Sequence, residues 1–289
     1  MSPFPKGLSG TLVFQSDRPG PDNPSARSHL FTIDLATGTV RQLTEGANHH
    51  DMDPRWSPDG KRIAFKSTRT AGQFDVYVID ADGSNLARIT DHPANDHDPV
   101  WMPDGQSLIF SSERDSRSDL YRVWLADRRV QRLTHHFVGR AIMPRVSPDG
   151  KYVAFAAQTL QRLQFWDFQV HILDLATGQT RGLDAPGGAC WPEWSPDGKL
   201  IVNVSLGEEP SRLQIRAPDG SNARELRPDP QRWHYYPDWS KDGSLIAFSV
   251  SPEHHQGEDW DLAIAAPDGS RYQRLTTGPG NDRVPDWKP

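Results

Sequence analysis

Residues 53–65 read DPRWSPDGKRIAF, and close copies of this stretch recur along the chain at nearly constant spacing. The copies are DPVWMPDGQSLIF from Asp98, MPRVSPDGKYVAF from Met143, WPEWSPDGKLIVN from Trp191, YPDWSKDGSLIAF from Tyr236 and a truncated VPDWKP from Val284. The shared prolines are separated by steps of 45, 45, 48, 45 and 48 residues. A period of this size is typical of propellers and solenoids, so the repeat decides the fold class before any local pattern does.

Each repeat carries the pattern of four short strands. An apolar segment at 54–56 and an alternating one at 63–65 flank a Pro-Asp-Gly turn, which predicts a hairpin. The runs DVYVID from Asp75 and LARIT from Leu86 then follow on either side of an Asp-Gly turn. Four antiparallel strands in each repeat describe a propeller blade. A tryptophan recurs at one position of the first strand, and we expect its ring to pack between neighbouring blades. These residues are Trp56, Trp101, Trp194, Trp239 and Trp287.

The last repeat stops at Pro289, immediately after its first strand, and its missing strands have counterparts at the other end of the chain. These counterparts are TLVFQS from Thr11, HLFTID from His29 and VRQLT from Val40. The sequence therefore predicts one all-β domain over residues 1–289, a six-bladed β-propeller whose closing blade is formed by 8–44 plus 282–289. Such closure removes the exposed sheet edges of an open array.

The repeated PxWSPDGKxIAF, followed by an Asp-hydrophobic-Tyr strand and a DADGS turn, resembles the PD40 (WD40-like) repeats of TolB-like six-bladed propellers. The resemblance covers essentially the whole chain and implies that fold. It says less about function, because this architecture supports unrelated activities. Similar repeats occur in the propellers of prolyl-oligopeptidase-type peptidases and in oligogalacturonate lyases, which use a His-rich metal site.

Charge and hydropathy narrow the classes of partner. A net charge of −6 without a Lys/Arg run argues against a nucleic-acid surface, and a mean hydropathy of −0.69 without a long apolar run predicts no membrane span. Residues 1–10 have no apolar core, so we expect a cytoplasmic location for the sequence as written, or a periplasmic one if a leader has been removed. A single cysteine, Cys190, excludes an internal disulfide.

The loops before each first strand and those between second and third strands vary among the copies, so we expect a ligand on the face that carries them, here called the variable face. Three residues before the shared proline, the copies carry Asp51, Asp96, Ala141, Ala189, His234 and Asp282. We expect no cofactor. A divalent metal near the channel mouth is the minor alternative, suggested by Asp51, Asp96 and Asp282 together with His50 and His97.

The repeat itself favours a structural role for these aspartates. Arginine stands at the end of the second strand only in the blades that carry the aspartate. We therefore predict three ion pairs within blades, namely Asp51 with Arg69, Asp96 with Arg114 and Asp282 with Arg18. A second recurring set, predicted to be structural, is Asp75, Asp119, Asp167 and Asp261.

Blades three to five depart from the repeat, and such departures are expected at functional sites. The candidate ligand-binding residues there are Arg140, Arg162, Trp166, Trp191, Trp233, His234, Tyr235, His254 and His255. Aromatic faces beside Arg and His suit a sugar or a flat acidic ligand. Packing alone is the alternative for Trp166 and Trp260, which align with Phe74. The pairs His49–His50 and His135–His136 are expected to be solvated loop residues.

We therefore expect a soluble TolB-like propeller that binds a protein partner or an oligosaccharide ligand through the variable face. The alternative is a carbohydrate-active enzyme, a lyase or hydrolase on an acidic oligosaccharide, with its site on the blade three to five side. Its acid/base candidates are His234, His254 and Glu253, with Arg140 opposite a substrate carboxylate. A Cys190 nucleophile beside His234 is a weaker alternative, and a pure protein scaffold would need only an exposed apolar patch.

Overall fold

The computed structural model of the chain describes residues 7–20, 23, 25–70, 72–159, 167–183, 187–206, 210–253 and 258–289. These residues form six antiparallel sheets of four strands each, which confirms the predicted all-β six-bladed propeller. Four candidates of the sequence analysis lie outside the described residues: Arg162, Trp166, His254 and His255. Within the described ranges, no helix has the length and apolarity needed to cross a membrane.

The first strands of the blades contact one another around the ring and therefore lie nearest its axis. They are β4 (Asp51–Trp56), β8 (Asp96–Trp101), β12 (Gly139–Val146), β16 (Ala189–Trp194), β20 (Trp233–Trp239) and β24 (Asp282–Trp287). The second strands are β5 (Arg62–Ser67), β9 (Ser107–Ser112), β13 (Tyr152–Thr159), β17 (Ile201–Ser205), β21 (Ile246–Ser251) and, in the closing blade, β1 (Thr11–Ser16).

The third and fourth strands complete each blade toward its outer edge. The third strands are β6 (Asp75–Asp80), β10 (Asp119–Trp124), β14 (Gln169–Asp174), β18 (Arg212–Arg216), β22 (Asp261–Ala265) and β2 (His29–Asp34). The fourth strands are β7 (Ala87–Arg88), β11 (Val130–Arg132), β15 (Thr180–Gly182), β19 (Arg224–Leu226), β23 (Gln273–Arg274) and β3 (Val40–Gln42).

The ring closes by pairing the two ends of the chain. Strand β24 pairs antiparallel with β1, with Leu12 opposite Trp287 and Ser16 opposite Asp282, and the sheet order is β24-β1-β2-β3. In the described chain, every first strand therefore pairs with the second strand of its own blade, and all six sheets have four strands.

Side-chain hydrogen bonds explain the repeated SPDG turn. In the first blade the Asp59 carboxylate accepts hydrogen bonds from the Ser57 hydroxyl, at 2.6 Å, and from the Lys61 amide, at 3.1 Å. The same bonds recur at Asp149 and Asp197. An aspartate that satisfies turn donors in this way fixes a tight, polar connection. These turns lie on the face opposite the variable loops.

The predicted packing role of the recurring tryptophans is confirmed. Their exposed fractions are 4 to 8%. Two of them also bond the preceding blade, because Trp101 Nε1 donates to the Arg55 carbonyl at 3.0 Å and Trp194 Nε1 donates to the Arg145 carbonyl at 3.1 Å. Six apolar clusters fill the space between blades, so the core is distributed around the ring.

Candidate functional site

All six first strands carry a β-bulge immediately before the shared proline. The residue there has a positive φ between 45° and 56° in every blade, and the strand register shifts at the same place. Such bulges re-aim side chains and recur next to functional sites. The six residues form what we call the channel mouth: Asp53, Asp98, Met143, Trp191, Tyr236 and Val284.

The channel mouth is aromatic on its blade four and five side. The Trp191 ring meets Tyr236 edge-on at 4.8 Å between centroids and Tyr235 at 5.5 Å. Trp233 stacks with Tyr235 at 6.5 Å between centroids. Trp191, Trp233 and Tyr236 are half-buried, so each offers part of its surface to a ligand. Edge-to-face rings of this kind hold one another rigidly in place.

The opposite side of the channel mouth is charged. Lys66 Nζ lies 2.6 Å from Asp53 Oδ2. Burial would raise the pKa of Asp53, but the Lys66 ammonium and then Arg55 outweigh it and hold that pKa below its usual value. Burial, followed by Lys66, lowers the pKa of His97, so this imidazole is neutral at pH 7. A cation and two carboxylates, Asp53 and Asp98, therefore face the aromatic side across the channel.

The channel floor, one residue after the shared proline, consists of buried or half-buried ionisable side chains from five blades, and the second blade has Val100 there. Arg55 Nη1 lies 3.0 Å from Asp286 Oδ1, and Arg145 Nε lies 2.6 Å from Glu193 Oε2. Burial raises the pKa of Glu193 to about 8 and, with Asp286 and Glu193 nearby, raises that of Asp238 well above its usual value. Asp238 and Asp286 also accept the backbone N–H groups of Trp287 and Trp56 in the next blade, each at 2.7 Å. The floor therefore ties the blades together.

The acid/base candidate His234 is fully buried. Its Nδ1 lies 3.4 Å from the Ser211 carbonyl, and its ring packs on Phe248. Burial lowers its pKa to about 4, so the imidazole is neutral at pH 7. Cys190 is buried as well, and burial raises the pKa of its thiol well above the usual value. Neither side chain is presented to a ligand in this structure.

The remaining candidates are placed apart. Arg140 is exposed on β12, and Glu253 is exposed just after β21. Tyr235 is buried within the aromatic group, and burial raises its pKa to about 12. Trp260 is fully buried against Tyr235, which confirms packing as its role. The structure thus brings Trp191, Trp233 and Tyr235 together, and adds Tyr236, which the sequence analysis did not select.

The predicted intrablade ion pairs are all present. Arg69 Nη2 lies 2.7 Å from Asp51 Oδ1, Arg114 Nη2 lies 3.1 Å from both Asp96 oxygens, and Arg18 Nη2 lies 2.6 Å from Asp282 Oδ2. The three aspartates are buried. Each carboxylate therefore has an arginine partner within its own blade, and a shared metal held by His50, Asp51, Asp96, His97 and Asp282 stays a prediction.

A second set of ion pairs runs from the third strand to the fourth. Asp75 pairs with Arg88 at 2.8 Å and Asp119 with Arg132 at 2.7 Å, and Asp261 pairs with Arg274. Asp167 does not belong to this set. It precedes β14 by two residues, and Gln169 takes the equivalent place in the strand register.

The turn face carries a cleft between blades three and four, lined by the SPDG turns at 147–149 and 197–198 together with Tyr152, Trp194 and Pro218. The SPDG turn chemistry recurs in other blades, and Tyr152 is a lining residue that does not repeat. The variable face, where the blades differ, remains the better candidate.

Comparison with known proteins agrees with the fold. Residues 22–228 match the family described as PD40, TolB beta propeller domain. The chain belongs to this TolB propeller family. It is 30% identical over 200 residues to the Tol-Pal system protein TolB of Francisella tularensis subsp. tularensis, covering 67% of this chain and 44% of that protein. It is also 30% identical over 182 residues to an uncharacterized protein of Agrobacterium fabrum, covering 61% of this chain and 46% of that one. The chain therefore spans less than half the length of these curated relatives.

Solved structures share the TolB propeller fold. TolB from Acinetobacter baumannii superposes with a TM-score of 0.82 at 24% identity, covering 100% of this chain and 69% of that one. A putative TolB from Agrobacterium tumefaciens gives 0.74 at 18% identity, covering 96% and 92%. An oligogalacturonate lyase in complex with manganese gives 0.59 at 16% identity, covering 94% and 75%. Identities this low establish the fold and leave function to the site.

Proposed function

We propose that this chain is a binding module that takes a segment of a partner protein at its channel mouth. The observation that carries the proposal is the division of that mouth into two chemically distinct sides. Trp191, Trp233 and Tyr236 present half-buried rings, and Asp53 with Lys66 presents a fixed ion pair opposite them. Among the described residues, the turn face instead repeats the short polar SPDG connection in several blades.

The aromatic side has the properties of a protein-binding hot spot. Tryptophan and tyrosine supply large contact areas with few rotatable bonds, and they dominate the energetics of protein interfaces. Here the rings also brace one another, with Trp191 edge-on to both Tyr235 and Tyr236. Less side-chain entropy is then lost when a partner binds.

The charged side would supply orientation. Burial would lower the pKa of Lys66, but Asp53 and Asp98 raise it, so the ammonium stays charged at neutral pH. Fixed charges at one side of an apolar contact select the register and direction of a bound segment more than they add affinity. We therefore expect the partner segment to combine an aromatic or aliphatic anchor with a charged residue.

The family supports a binding role, because its curated relatives include the Tol-Pal system protein TolB. The enzyme alternative has less support from the described residues, since His234 is buried and Glu253 lies apart from the aromatic group. An oligosaccharide ligand would use the same rings by stacking. The experiment must therefore compare peptides with sugars.

The test is selection of a displayed random peptide library on the purified protein, followed by calorimetric titration of the selected peptides. We expect Trp191→Ala to weaken binding at least about tenfold, because truncating an aromatic hot spot costs about 2 kcal/mol or more. Tyr152→Ala is the matched control, since Tyr152 is an exposed aromatic residue at the start of β13, toward the turn face. Circular dichroism would verify that both variants are folded.

A thermal-shift screen against neutral and acidic oligosaccharides completes the comparison, because a ligand that binds only the folded state raises the midpoint. Peptides whose affinity is unchanged by Trp191→Ala would refute the channel mouth as the site. A midpoint shift specific to a sugar, lost in Trp191→Ala, would replace the protein partner with a carbohydrate.

A further inference from the structure

Two histidines and an aspartate converge where the closing blade meets the first blade. His29 begins β2, Asp51 begins β4, and His49 lies in the loop just before β4. His29 Nδ1 and His49 Nε2 each lie 3.5 Å from the same carboxylate oxygen, Asp51 Oδ2. The three potential ligand atoms lie within 4.8 Å of one another, and His29 and Asp51 are fully buried.

The hydrogen bond on the far side of His29 fixes its tautomer. His29 Nε2 lies 2.9 Å from the Gly46 carbonyl oxygen, which can only accept, so Nε2 carries the proton. In the neutral ring, Nδ1 then presents a lone pair toward the Asp51 carboxylate. Two acceptors that face each other in a buried space repel unless a cation or a proton lies between them.

The His49 side chain also faces the Asp51 carboxylate. Its Nε2 is buried and has no hydrogen-bond partner apart from the long approach to Asp51. The His49 ring meets His29 edge-on at 5.6 Å and lies against Gly46, where an added Cβ would be 2.2 Å from the ring. Gly46 has a φ of 142°, which suits glycine, so the backbone there leaves room for the His49 ring.

We propose that His29 Nδ1, His49 Nε2 and Asp51 Oδ2 bind a divalent metal ion of the zinc type, a site distinct from the channel mouth. Ligand atoms about 2.0–2.1 Å from a tetrahedral zinc ion lie roughly 3.3 Å apart, close to the two distances of 3.5 Å observed here. Two imidazole nitrogens and one carboxylate oxygen form a donor set that suits zinc and neighbouring transition metals better than magnesium or calcium. A fourth position remains for water or another ligand.

The other blades provide an internal comparison. At the position of His29 the register places Asp75, Asp119 and Asp261, and each pairs with an arginine thirteen residues later. In the closing blade both partners change together, to His29 and Gln42, and Gln42 donates to the Thr44 carbonyl instead. The ion pair of these three blades is thus exchanged in the closing blade for an imidazole aimed at Asp51, whereas blades three and four carry Gln169 and Arg212 at this position.

The surroundings resemble the outer shell of a metal site. The Gly46 carbonyl orients His29, and Arg69 Nη2 donates to Asp51 Oδ1 at 2.7 Å, which leaves Oδ2 for the ion. The positive charge of Arg69 opposes a divalent cation, so we expect weaker binding than in a closed structural zinc site with four protein ligands. His50 is engaged elsewhere, with Nε2 2.8 Å from Arg27 Nη1.

The test is titration of chelator-treated full chain with Zn²⁺ by calorimetry and with Co²⁺ by visible absorption. We expect one equivalent of metal with tetrahedral-type cobalt bands, and affinity that falls as pH falls because protons compete for the imidazoles. His49→Gln should reduce affinity at least about tenfold, since even outer-shell changes cost that much. His136→Gln, in the exposed loop pair of another blade, is the matched control and should leave affinity unchanged.

A measurement on the unaltered protein keeps the result independent of how the variants fold. X-ray absorption of the zinc-loaded chain should show two imidazole ligands and at least one oxygen. No stoichiometric binding, binding that survives His49→Gln, or a spectrum without two imidazoles would each overturn the proposal. In that case a proton shared between the histidines and Asp51 would explain the cluster.

Discussion

The Asp96–Arg114 ion pair permits a quantitative test of why the repeat keeps these two residues together. Asp96 is fully buried at the start of β8, and the Arg114 side chain is 14% exposed. Arg114 Nη2 contacts both carboxylate oxygens at 3.1 Å, and Nε donates to the Ser112 hydroxyl at 2.9 Å. The guanidinium also lies 4.8 Å from the centre of the Tyr121 ring. We choose this pair because Asp51, its counterpart in the first blade, is shared with two histidines.

The magnitude follows from what each substitution leaves behind. Arg114→Ala leaves a buried carboxylate without its cation and close to Asp75, whose pKa is raised by burial and, after the Arg88 contacts, by Asp96. Such a break costs about 3 kcal/mol. Asp96→Ala costs less, about 1.5 kcal/mol, because the Arg114 head can rehydrate at the surface. The double variant removes both charges together, so we expect it to fall short of the sum by about 2 kcal/mol.

The assay is urea unfolding followed by tryptophan fluorescence, with free energies obtained from the midpoint and slope. Arg114→Ala combined with Asp268→Ala is the control cycle, since Asp268 is an exposed turn residue in the fifth blade. The control pair should be additive. Additivity to within about 0.5 kcal/mol in the Asp96–Arg114 cycle as well would refute the reasoning, because the two residues would then contribute independently.

Two further outcomes follow from the structure. Burial lowers the pKa of His234 from 6.5 to about 4, so the unfolded chain takes up a proton that the folded chain refuses. As the pH is lowered from 6.5 to about 4, this group should therefore reduce the free energy of unfolding by up to about 1.4 kcal/mol per pH unit. The reduction should be smaller in His234→Gln than in wild type or His136→Gln. Parallel curves of stability against pH would contradict the burial of His234. Deleting residues 282–289 removes β24 and exposes the edge of β1, so we expect a broader, less cooperative melt and concentration-dependent aggregation by light scattering. A deletion variant that melts as sharply as wild type would show that ring closure contributes little.

Much of the fold was readable because each blade repeats the same local signals. The predicted runs from Thr11, His29 and Asp75 coincide with strands β1, β2 and β6. The fourth strands are shorter than predicted, with LARIT reduced to Ala87–Arg88, because an outer-edge strand has a neighbour on one side only. The bulge was not predicted, because a residue with positive φ before proline does not change the alternation of apolar and polar residues along the strand.

The burial of the candidate site residues was harder to predict, for physical reasons. His234 was selected because it departs from the repeat, yet it occupies the same strand position as Asp51 and is buried like it. His49 was expected to be solvated, but the space beside Gly46 admits its ring to the interior. Tyr236 was overlooked, although the bulge places it beside Trp191. Burial at a given position follows the blade geometry, whatever residue type stands there.

The repeat is most informative where two positions change together. Aspartate and arginine occur together at the Asp96 and Arg114 positions, and this pattern predicted three ion pairs that the structure contains. The same comparison of the third and fourth strands would have found Asp75 with Arg88 and its counterparts. It would also have shown that three blades lack the pair, and that among them the closing blade has a histidine, His29, at the aspartate position. In the closing blade both residues of that pair are replaced by uncharged ones, so the exchange itself leaves the net charge unchanged. What it adds is an imidazole whose Nδ1 lone pair faces the buried Asp51 carboxylate, and that contact is the reason to propose a cation there.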